Sequence, residues 1–384
     1  MQLHVRMTPR DPTEPHRVAT PLELFLDLAF VVAIAQAAAG LHHGLVDGHV
    51  GDALIGYPAV FFAIWWAWMN FTWFASAYDN DDALYRLGVL VEIAGALILA
   101  AGVPRAFTSD EWGIVTLGYA VMRVALVAQW LRAARDDPEH RATDIRYAIG
   151  VGVCMIAWGL RLLLPSGWAV VAFVLLAAAE LLVPVWAERV GATTWHAGHI
   201  VERYGLFTLI VLGESVLSAT LAIQLALDAG QALGDLVGIA VGGLLIVFSM
   251  WWLYFAQPAE DLLARARDQF GISSWHESFV WGYGHYVVFS SAAAVGAGIG
   301  VAVDEAGHHA HISARGATLA VAIPVALFLL SVWALHLGTA TRGPIRRAMP
   351  FVAALLVGLA AVGAPIVVLG LVLAGLVAAD AVAT

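Results

Sequence analysis

The stretch WHAGHIVERYGLFTLIVLGESVLSAT, Trp195 to Thr220, combines an apolar segment of bilayer length with two carboxylates, Glu202 and Glu214. An ionised side chain at the centre of a membrane-spanning helix costs about 2.5–3.5 kcal/mol even on the most permissive insertion scale. Such residues therefore usually face a partner, a cavity or a transport pathway. Glu214 follows Glu202 by about 18 Å of helix, so we expect it near the bilayer centre.

The first apolar stretch, TPLELFLDLAFVVAIAQ from Thr20 to Gln36, has a similar design. Thr20-Pro21-Leu22-Glu23 is typical of a capping box with proline at the first helical position, and it predicts a helix that runs to about Gly40. Glu23 and Asp27 are spaced i, i+4 and share one face of that helix. Asp27 lies roughly 10 Å into the helix, which is too deep for a cap.

Composition places the chain in the membrane. Apolar residues make up 61% and charged residues 12% of the 384 residues, against roughly 45–50% and 25% in a soluble domain, and the mean hydropathy is +0.81. We predict an all-α, polytopic integral membrane protein with about twelve transmembrane helices. Ten spans are expected at about residues 20–40, 51–76, 83–102, 111–134, 144–164, 167–188, 200–224, 232–257, 279–303 and 314–337, and residues 345–382 hold two more, broken near Gly363-Ala364-Pro365.

All of the basic residues are arginine, because the chain contains no lysine. With a cytoplasmic N-terminus, the twelve-span map puts 15 arginines on the inner side and 3 on the outer side, and it leaves Arg123 inside a helix. That asymmetry is what the positive-inside rule expects. The sequence thus predicts a multi-pass membrane protein with residues 1–19 as a cytoplasmic tail.

An internal repeat is a further prediction. Glu23 corresponds to Glu202, and the pair Trp65-Trp66 followed by acidic residues corresponds to Trp251-Trp252 followed by Glu260-Asp261. The repeat divides the chain into two six-helix halves, residues 20–188 and 189–384. The alternative is that apolar, aromatic helices resemble each other through composition alone.

Four strings together resemble the bacterial low temperature requirement A family: TPLELFLDLAFVVAIAQ, WWAWMNFTWF followed by YDNDD, ERYGLFTLIVLGES, and WWLYF. The resemblance covers essentially the whole chain. It implies a multi-span inner-membrane protein and implies no particular reaction. The family-typical positions kept here are Glu23, Asp27, Glu202, Arg203, Tyr204, Gly213 and Glu214.

Charges at membrane depth point to a pathway. Asp27, Glu92, Glu180 and Glu214 are acidic, whereas Arg123 is the only permanent cation well inside a span. One ion pair neutralises one carboxylate, and the others must be protonated or must hold a cation, because desolvation favours the neutral form. The leading hypothesis is therefore a proton- or cation-coupled secondary transporter of a small molecule.

In this hypothesis Asp27 and Glu214 are the coupling carboxylates between spans one and seven, and Tyr204 lies on the same pathway. Glu23 and Glu202 form an inner gate, and Arg203 provides the gate ion pair. Several of the charged residues also have an alternative, purely structural role. Glu23 can be a cap, Glu202 and Arg203 can anchor the helix end, and Arg123 can pair with Glu92 or Glu180.

The second hypothesis is a membrane-embedded enzyme or sensor, although an enzyme is the less expected reading. Histidines in two predicted outer loops could ligate zinc or nickel: His42, His43, His49, His308, His309 and His311. His196, His199 and Glu202 could similarly face a metal, but they fit a polar helix entrance better. His285 is either a buried histidine with satisfied hydrogen bonds or part of a proton relay. The tryptophans of span two either line a cavity or pack between helices.

The absence of lysine excludes a retinal or pyridoxal Schiff base and a Walker A loop, and a single cysteine, Cys154, excludes an internal disulfide. No cofactor is expected. The expected partners are the lipid bilayer and an unidentified small molecule or ion, with homo-oligomers left open and nucleic acid excluded.

The arginine distribution gives a direct test of topology. Reporter tags at the N-terminus and in the 135–143 loop are both expected to report a cytoplasmic location in intact cells. Tags on opposite faces of the membrane would overturn the twelve-span map.

Overall fold

The computed structural model describes residues 2–14, 17–231, 233–256, 275–335 and 344–383. These ranges contain helices and connecting turns and no strand. The α-helices in chain order are α1 Pro21–Val46, α2 Val50–Ala77, α3 Ala83–Thr108, α4 Gly113–Asp136, α5 Arg141–Arg161, α6 Ala169–Ala187, α7 Ala197–Asp228, α8 Leu233–Phe255, α9 Trp275–Ala306, α10 Ala314–Leu335, α11 Pro344–Ala361 and α12 Ile366–Ala383.

The predicted class, an all-α polytopic membrane protein, is confirmed. Ten of the described helices, α1 to α10, are long and apolar enough to cross a bilayer. The last two are shorter, and the chain between them turns at Gly363, whose φ of +84° is in the left-handed region. The predicted break near Gly363-Ala364-Pro365 is therefore correct.

The predicted end of the first span is wrong. The helix continues through Gly40 to Val46, so His42 and His43 lie in its last turns and not in a loop. A glycine inside a helix costs only about 1 kcal/mol, and the burial of Leu41 and Leu45 beyond it outweighs that cost. The third span likewise extends past Gly102 to Thr108.

The described residues form two compact units. The first contains residues 1–36 and 59–203, in which α3 packs on α4, α4 on α5 and α5 on α6. The second contains residues 37–58 and 204–384, in which α9 packs on α10, α10 on α11 and α8 on α12. The halves 20–188 and 189–384 remain a prediction, as does the internal repeat.

The two tryptophan pairs used for the repeat have different surroundings. Trp65 and Trp66 are buried, whereas Trp251 and Trp252 are exposed. The acidic residues that follow the second pair, Glu260-Asp261, lie outside the described residues, as do Arg265, Arg267 and Arg342. In α6 only Glu180, Val183, Pro184 and Ala187 are buried, and its remaining apolar side chains suit contact with lipid tails.

Polar contacts hold the N-terminal segment in place within the first unit. The Asp82 carboxylate caps α3 by accepting the Tyr85 N–H, and it also accepts the Val5 N–H at 2.7 Å and pairs with Arg132. Burial raises the pKa of Asp82, but the hydrogen bonds from Arg132 and from these two amides outweigh burial and bring it to about 2. Residues 2–14 therefore pack on the ends of α2, α3 and α4 through a carboxylate that stays ionised.

Close helix contact in the first unit depends on glycine. A Cβ atom at Gly118 of α4 would overlap the backbone nitrogen of Leu99 and would lie 2.6 Å from the Gly95 carbonyl oxygen. Neither is a flexible side-chain end, so the helices would have to separate. Small residues at such crossings let helix backbones approach within a membrane.

Gly118→Ala is therefore expected to destabilise the purified protein by about 1–3 kcal/mol, the usual cost of overpacking. The matched control is Gly152→Ala in α5, where an added Cβ meets nothing within 4 Å. The control is expected to leave the melting temperature unchanged or raised, since alanine favours helix over glycine by about 0.5–1 kcal/mol. Equal melting temperatures for the two variants would contradict the packing argument.

Candidate functional site

The N-terminus of α1 forms the capping box that the sequence predicts. Thr20 N donates to Glu23 Oε2 at 2.8 Å, and Glu23 N donates to Thr20 Oγ1 at 3.3 Å, which completes the reciprocal capping box. The cap occupies only one carboxylate oxygen. Glu23 Oε1 is left to face α7, so Glu23 acts both as a cap and as a member of a buried cluster.

Asp27, one turn further along α1, forms a buried ion pair with Arg203 of α7. Arg203 Nη2 lies 2.6 Å from Asp27 Oδ1, and the Trp68 indole N–H donates to the same oxygen at 2.7 Å. Arg203 Nη2 also reaches Thr72 Oγ1 at 3.4 Å. Trp68 and Thr72 are spaced i, i+4 on α2, so one face of that helix completes the pair.

Glu23 is the second carboxylate near the same guanidinium. Its Oε1 lies 3.9 Å from Arg203 Nη1 and 3.0 Å from His199 Nε2. Neither contact is aligned as a hydrogen bond, and several buried polar atoms of the cluster have no hydrogen-bond partner. They are Glu23 Oε1, Asp27 Oδ2, His199 Nδ1 and Nε2, and Arg203 Nε and Nη1.

The charges of these four side chains do not balance without a further positive charge. Arg17 also interacts electrostatically with Glu23, but it lies near two other carboxylates, those of Glu14 and Asp79. Asp27, His199 and Arg203 are 0% exposed and Glu23 is 1% exposed, so water does not screen them. Arg203 is always charged, and it offsets one of the two carboxylates. The other requires a proton, carried on a carboxylate or on His199, or else a bound cation.

The start of α7 is polar, as the sequence predicts. His196 caps the helix by accepting the His199 N–H at its Nδ1, and its Nε2 lies 2.7 Å from the Glu14 carbonyl oxygen. Glu202 is half-buried on the same turn.

Asp79 lies between α2 and α3 and also interacts with Glu23. Burial and, next, the negative charge of Glu23 raise the pKa of Asp79, whereas the positive charges of Arg17 and Arg10 lower it.

A second acidic cluster in the first unit is centred on Glu180. Its carboxylate accepts hydrogen bonds from Trp66 Nε1 at 2.8 Å, from the Tyr119 hydroxyl at 2.7 Å and from Trp158 Nε1 at 3.2 Å. Arg123 donates to the Tyr119 hydroxyl and lies 3.9 Å from Glu180. Of the two partners considered for Arg123, the structure thus selects Glu180.

Glu92 is also buried in this unit, at 3% exposure, and its Oε1 has no hydrogen-bond partner. It lies close enough to Arg123 to interact electrostatically with it. Glu92 therefore differs from Glu180, which has three hydrogen-bond donors.

The remaining predicted pathway residues belong to the second unit. Glu214, in the middle of α7, accepts a hydrogen bond from Ser218 Oγ at 2.7 Å. His285 is buried, with the Tyr254 hydroxyl 3.1 Å from its Nε2 and the Trp281 carbonyl oxygen 2.9 Å from its Nδ1. Tyr204 packs against the His285 ring at a centroid distance of 4.9 Å. Both ring nitrogens of His285 thus have partners, which favours the structural interpretation.

The metal hypothesis gains no support. Among the described residues no group of three or more His, Cys, Asp or Glu side chains is placed to hold a metal. His42 instead lies 2.7 Å from Asp304, and the His311 N–H donates to the Val46 carbonyl oxygen.

Sequence reasoning identifies Glu23, Asp27 and Arg203 but not their other partners. It assigns His199 to a helix entrance and Trp68 to packing or cavity lining, and it does not single out Thr72. The one sequence signal for these two partners is their i, i+4 spacing, which places Trp68 and Thr72 on the same face of a helix. An apolar aromatic run gives no reason to look for an indole N–H as a carboxylate donor.

Comparison with known proteins agrees with the sequence resemblance. A sequence model of the bacterial low temperature requirement A protein matches residues 18–382. An uncharacterized protein of Rhizobium meliloti (strain 1021) is 25% identical over 274 residues, which cover 69% of this chain and 64% of the relative. The chain thus spans slightly less than two thirds of that relative's length.

Removal of Arg203 tests the cluster. Arg203→Gln leaves buried carboxylates without their permanent cation, so we expect a loss of about 3–5 kcal/mol, seen as a lower melting temperature and lower yield. Asp27→Asn added to Arg203→Gln is expected to recover part of that loss.

The matched control is Arg86→Gln, because Arg86 pairs with Asp81 at 2.7 Å on the exposed surface. An exposed pair is screened by water and contributes little to stability, so this variant should melt close to the unmodified protein. Equal melting temperatures for Arg203→Gln and Arg86→Gln would contradict the buried-pair assignment.

Proposed function

We propose that this membrane protein, which belongs to the bacterial low temperature requirement A family, is a proton- or cation-coupled secondary transporter of a small molecule. Its coupling element is the cluster of Glu23, Asp27, His199 and Arg203. The single observation that supports this function is the charge imbalance of that cluster, in which one guanidinium faces two fully buried carboxylates.

A coupling site must bind and release a cation with only a small change in the surrounding structure. In this cluster a proton has three acceptors within a few ångströms: the two carboxylates and the His199 ring. The permanent charge of Arg203 holds the carboxylates together whether or not the proton is present. Proton exchange therefore changes the charge of the cluster by one unit while the ion pair stays in place.

The unpaired atoms distinguish this cluster from a static structural ion pair. Buried polar groups that serve only stability usually have their hydrogen-bonding capacity filled, since each unfilled donor or acceptor costs about 1–3 kcal/mol. Here atoms of all four side chains lack an aligned hydrogen bond, although Glu23 Oε1 and His199 Nε2 lie 3.0 Å apart. Such local destabilisation is common at functional sites.

Glu214 is assigned as a second coupling carboxylate, acting within the second unit. It lies in the middle of a long apolar helix, and its hydrogen bond comes from a neutral hydroxyl, Ser218. Glu202, half-buried at the start of α7, keeps its proposed gate role. The chain carries no nucleotide-binding motif, so in this proposal an ion gradient supplies the energy for transport.

The test uses purified protein reconstituted into liposomes that contain a pH-sensitive dye. Pools of organic acids, amines, amino acids and sugars are added under an imposed pH gradient. At least one pool is expected to produce proton movement that depends on the protein. Asp27→Asn should slow that movement about tenfold or more, because the amide cannot exchange a proton, and Glu214→Gln is expected to act in the same direction.

The matched control is Asp52→Asn, which changes an exposed aspartate in the first turn of α2 and should retain coupling. Infrared difference spectra between about pH 5 and pH 8 provide a check that needs no substrate. The cluster is expected to contribute a protonated carboxyl band that is lost in Glu23→Gln/Asp27→Asn. Unchanged spectra, or full coupling in Asp27→Asn, would contradict the proposal.

A further inference from the structure

A polar vestibule opens at one end of the first unit, between the α3–α4 turn and the α5–α6 turn. Its volume is about 430 Å³, within the range of roughly 300–1,000 Å³ typical of small-molecule sites. The walls carry two carboxylates, Asp110 and Glu111, and one guanidinium, that of Arg161. Trp112 and several aliphatic side chains form the remaining surface. Under the arginine-based topology this vestibule faces the outer side.

Arg161 is held in place by aromatic rings. Its guanidinium carbon lies 5.5 Å from the ring centre of Trp112, 5.9 Å from that of Trp158 and 5.6 Å from that of Phe173. Its Nε donates to the Ala169 carbonyl oxygen at 3.3 Å. Trp112 is itself fixed, because its indole N–H donates to Asp110 Oδ1 at 2.7 Å.

The guanidinium nevertheless forms no ion pair, although Asp110 lies near enough to interact with it electrostatically. Among the residues that the structure describes, no carboxylate lies within ion-pair distance of Arg161, and neither of its terminal nitrogens has a hydrogen-bond partner there. An arginine with its Nε engaged and both terminal nitrogens available is oriented for two-point binding of a carboxylate or phosphate. Loss of side-chain freedom on binding is small, because the three rings already restrict the arginine.

The charges on the walls restrict the ligand further. A simple anion at Arg161 would be repelled by Asp110 and Glu111, and a simple cation would be repelled by Arg161. A ligand with one negative and one positive group can place each group beside the side chain of opposite charge. The aromatic cleft below, lined by Phe62, Tyr119 and Trp158, measures only about 30 Å³, room for about one water molecule, so the body of the ligand must stay in the vestibule.

We propose that this vestibule binds a small zwitterion with an apolar substituent. The anionic group binds Arg161, the ammonium group binds the Asp110 and Glu111 carboxylates, and the apolar part covers Trp112. Two sources supply this chemistry: a free apolar amino acid and the headgroup of phosphatidylethanolamine. The inference does not depend on the transport proposal, because the site lacks every residue of the coupling cluster.

Equilibrium binding of radiolabelled L-phenylalanine to the full-length protein tests the proposal, in nanodiscs of phosphatidylglycerol, whose headgroup has no ammonium, and, separately, of phosphatidylethanolamine. Saturable binding is expected in phosphatidylglycerol. Competition by 3-phenylpropionate, which lacks the ammonium, and by phenethylamine, which lacks the carboxylate, should each be about tenfold or more weaker than by L-phenylalanine. Binding lost in phosphatidylethanolamine, with protein stability raised by that lipid, assigns the site to the headgroup.

Variants separate the two walls. Arg161→Gln should weaken L-phenylalanine binding by about tenfold or more. If the site holds the lipid headgroup, the same variant should lose the stabilisation by phosphatidylethanolamine. Asp110→Asn/Glu111→Gln should weaken the binding of L-phenylalanine, because its ammonium loses its partners. The same variant should strengthen the binding of 3-phenylpropionate, because the repulsion of its carboxylate is removed. Arg105→Gln is the matched control, since Arg105 is exposed near the same turn but does not line the vestibule, and it should bind normally.

Arg161→Lys keeps the positive charge and loses the two-point geometry, so it gives a second measurement if Arg161→Gln does not fold. Its affinity should fall between those of the unmodified protein and Arg161→Gln. The proposal is overturned if neither L-phenylalanine nor phosphatidylethanolamine shows saturable binding, or if Arg161→Lys and Arg161→Gln both bind like the unmodified protein.

Discussion

Arg203 lies where water does not reach it, and the first unit is arranged around that charge. A buried guanidinium is tolerated only with close anionic partners, because desolvation of an unpaired ion costs several kcal/mol. Glu23 and Asp27 of α1 supply the anions, and Thr72 of α2 adds a neutral acceptor. These contacts fix the N-terminal turns of α1 and α7 relative to the C-terminal half of α2. The proposed coupling role depends on this count, two anions against one permanent cation in a fixed arrangement.

Helix α2 gives the aromatic run of the sequence a physical role. Trp66 donates to Glu180 and Trp68 donates to Asp27. Two residues of helix separate these donors by about 200° around the axis, so the helix supports two acidic clusters on opposite faces. An indole N–H stabilises a carboxylate without neutralising it. The tryptophans therefore hold both acidic clusters in a buried environment while leaving the charge of each to be set by protons and arginine.

Local signals in the sequence predict local structure well. The capping box at Thr20 to Glu23, the break at Gly363 and the apolar helices all follow from short-range chemistry, and all appear in the structure. The end of α1 lies later than predicted, because Gly40 resembles a stop signal until the burial of residues beyond it is known. The sequence predicts an ion pair for Arg203, but the identity of its partners depends on how α1, α2 and α7 pack. His199 and Thr72 become visible as partners only in three dimensions, as does the choice of Glu180 over Glu92 for Arg123.

Three arginines of the first unit differ in how completely the chain compensates them. Arg203 has two carboxylates, which is one more than it can offset. Arg123 has Glu180 at 3.9 Å, and that carboxylate also receives three neutral hydrogen bonds, while the buried Glu92 interacts electrostatically with the same guanidinium. Arg161 has aromatic rings and a carbonyl oxygen, but among the described residues no carboxylate lies within ion-pair distance of it. A low-dielectric interior makes the imbalance at Arg203 costly, whereas Arg161 is half-buried and borders the vestibule; the two proposals therefore assign a proton to the first position and a ligand to the second.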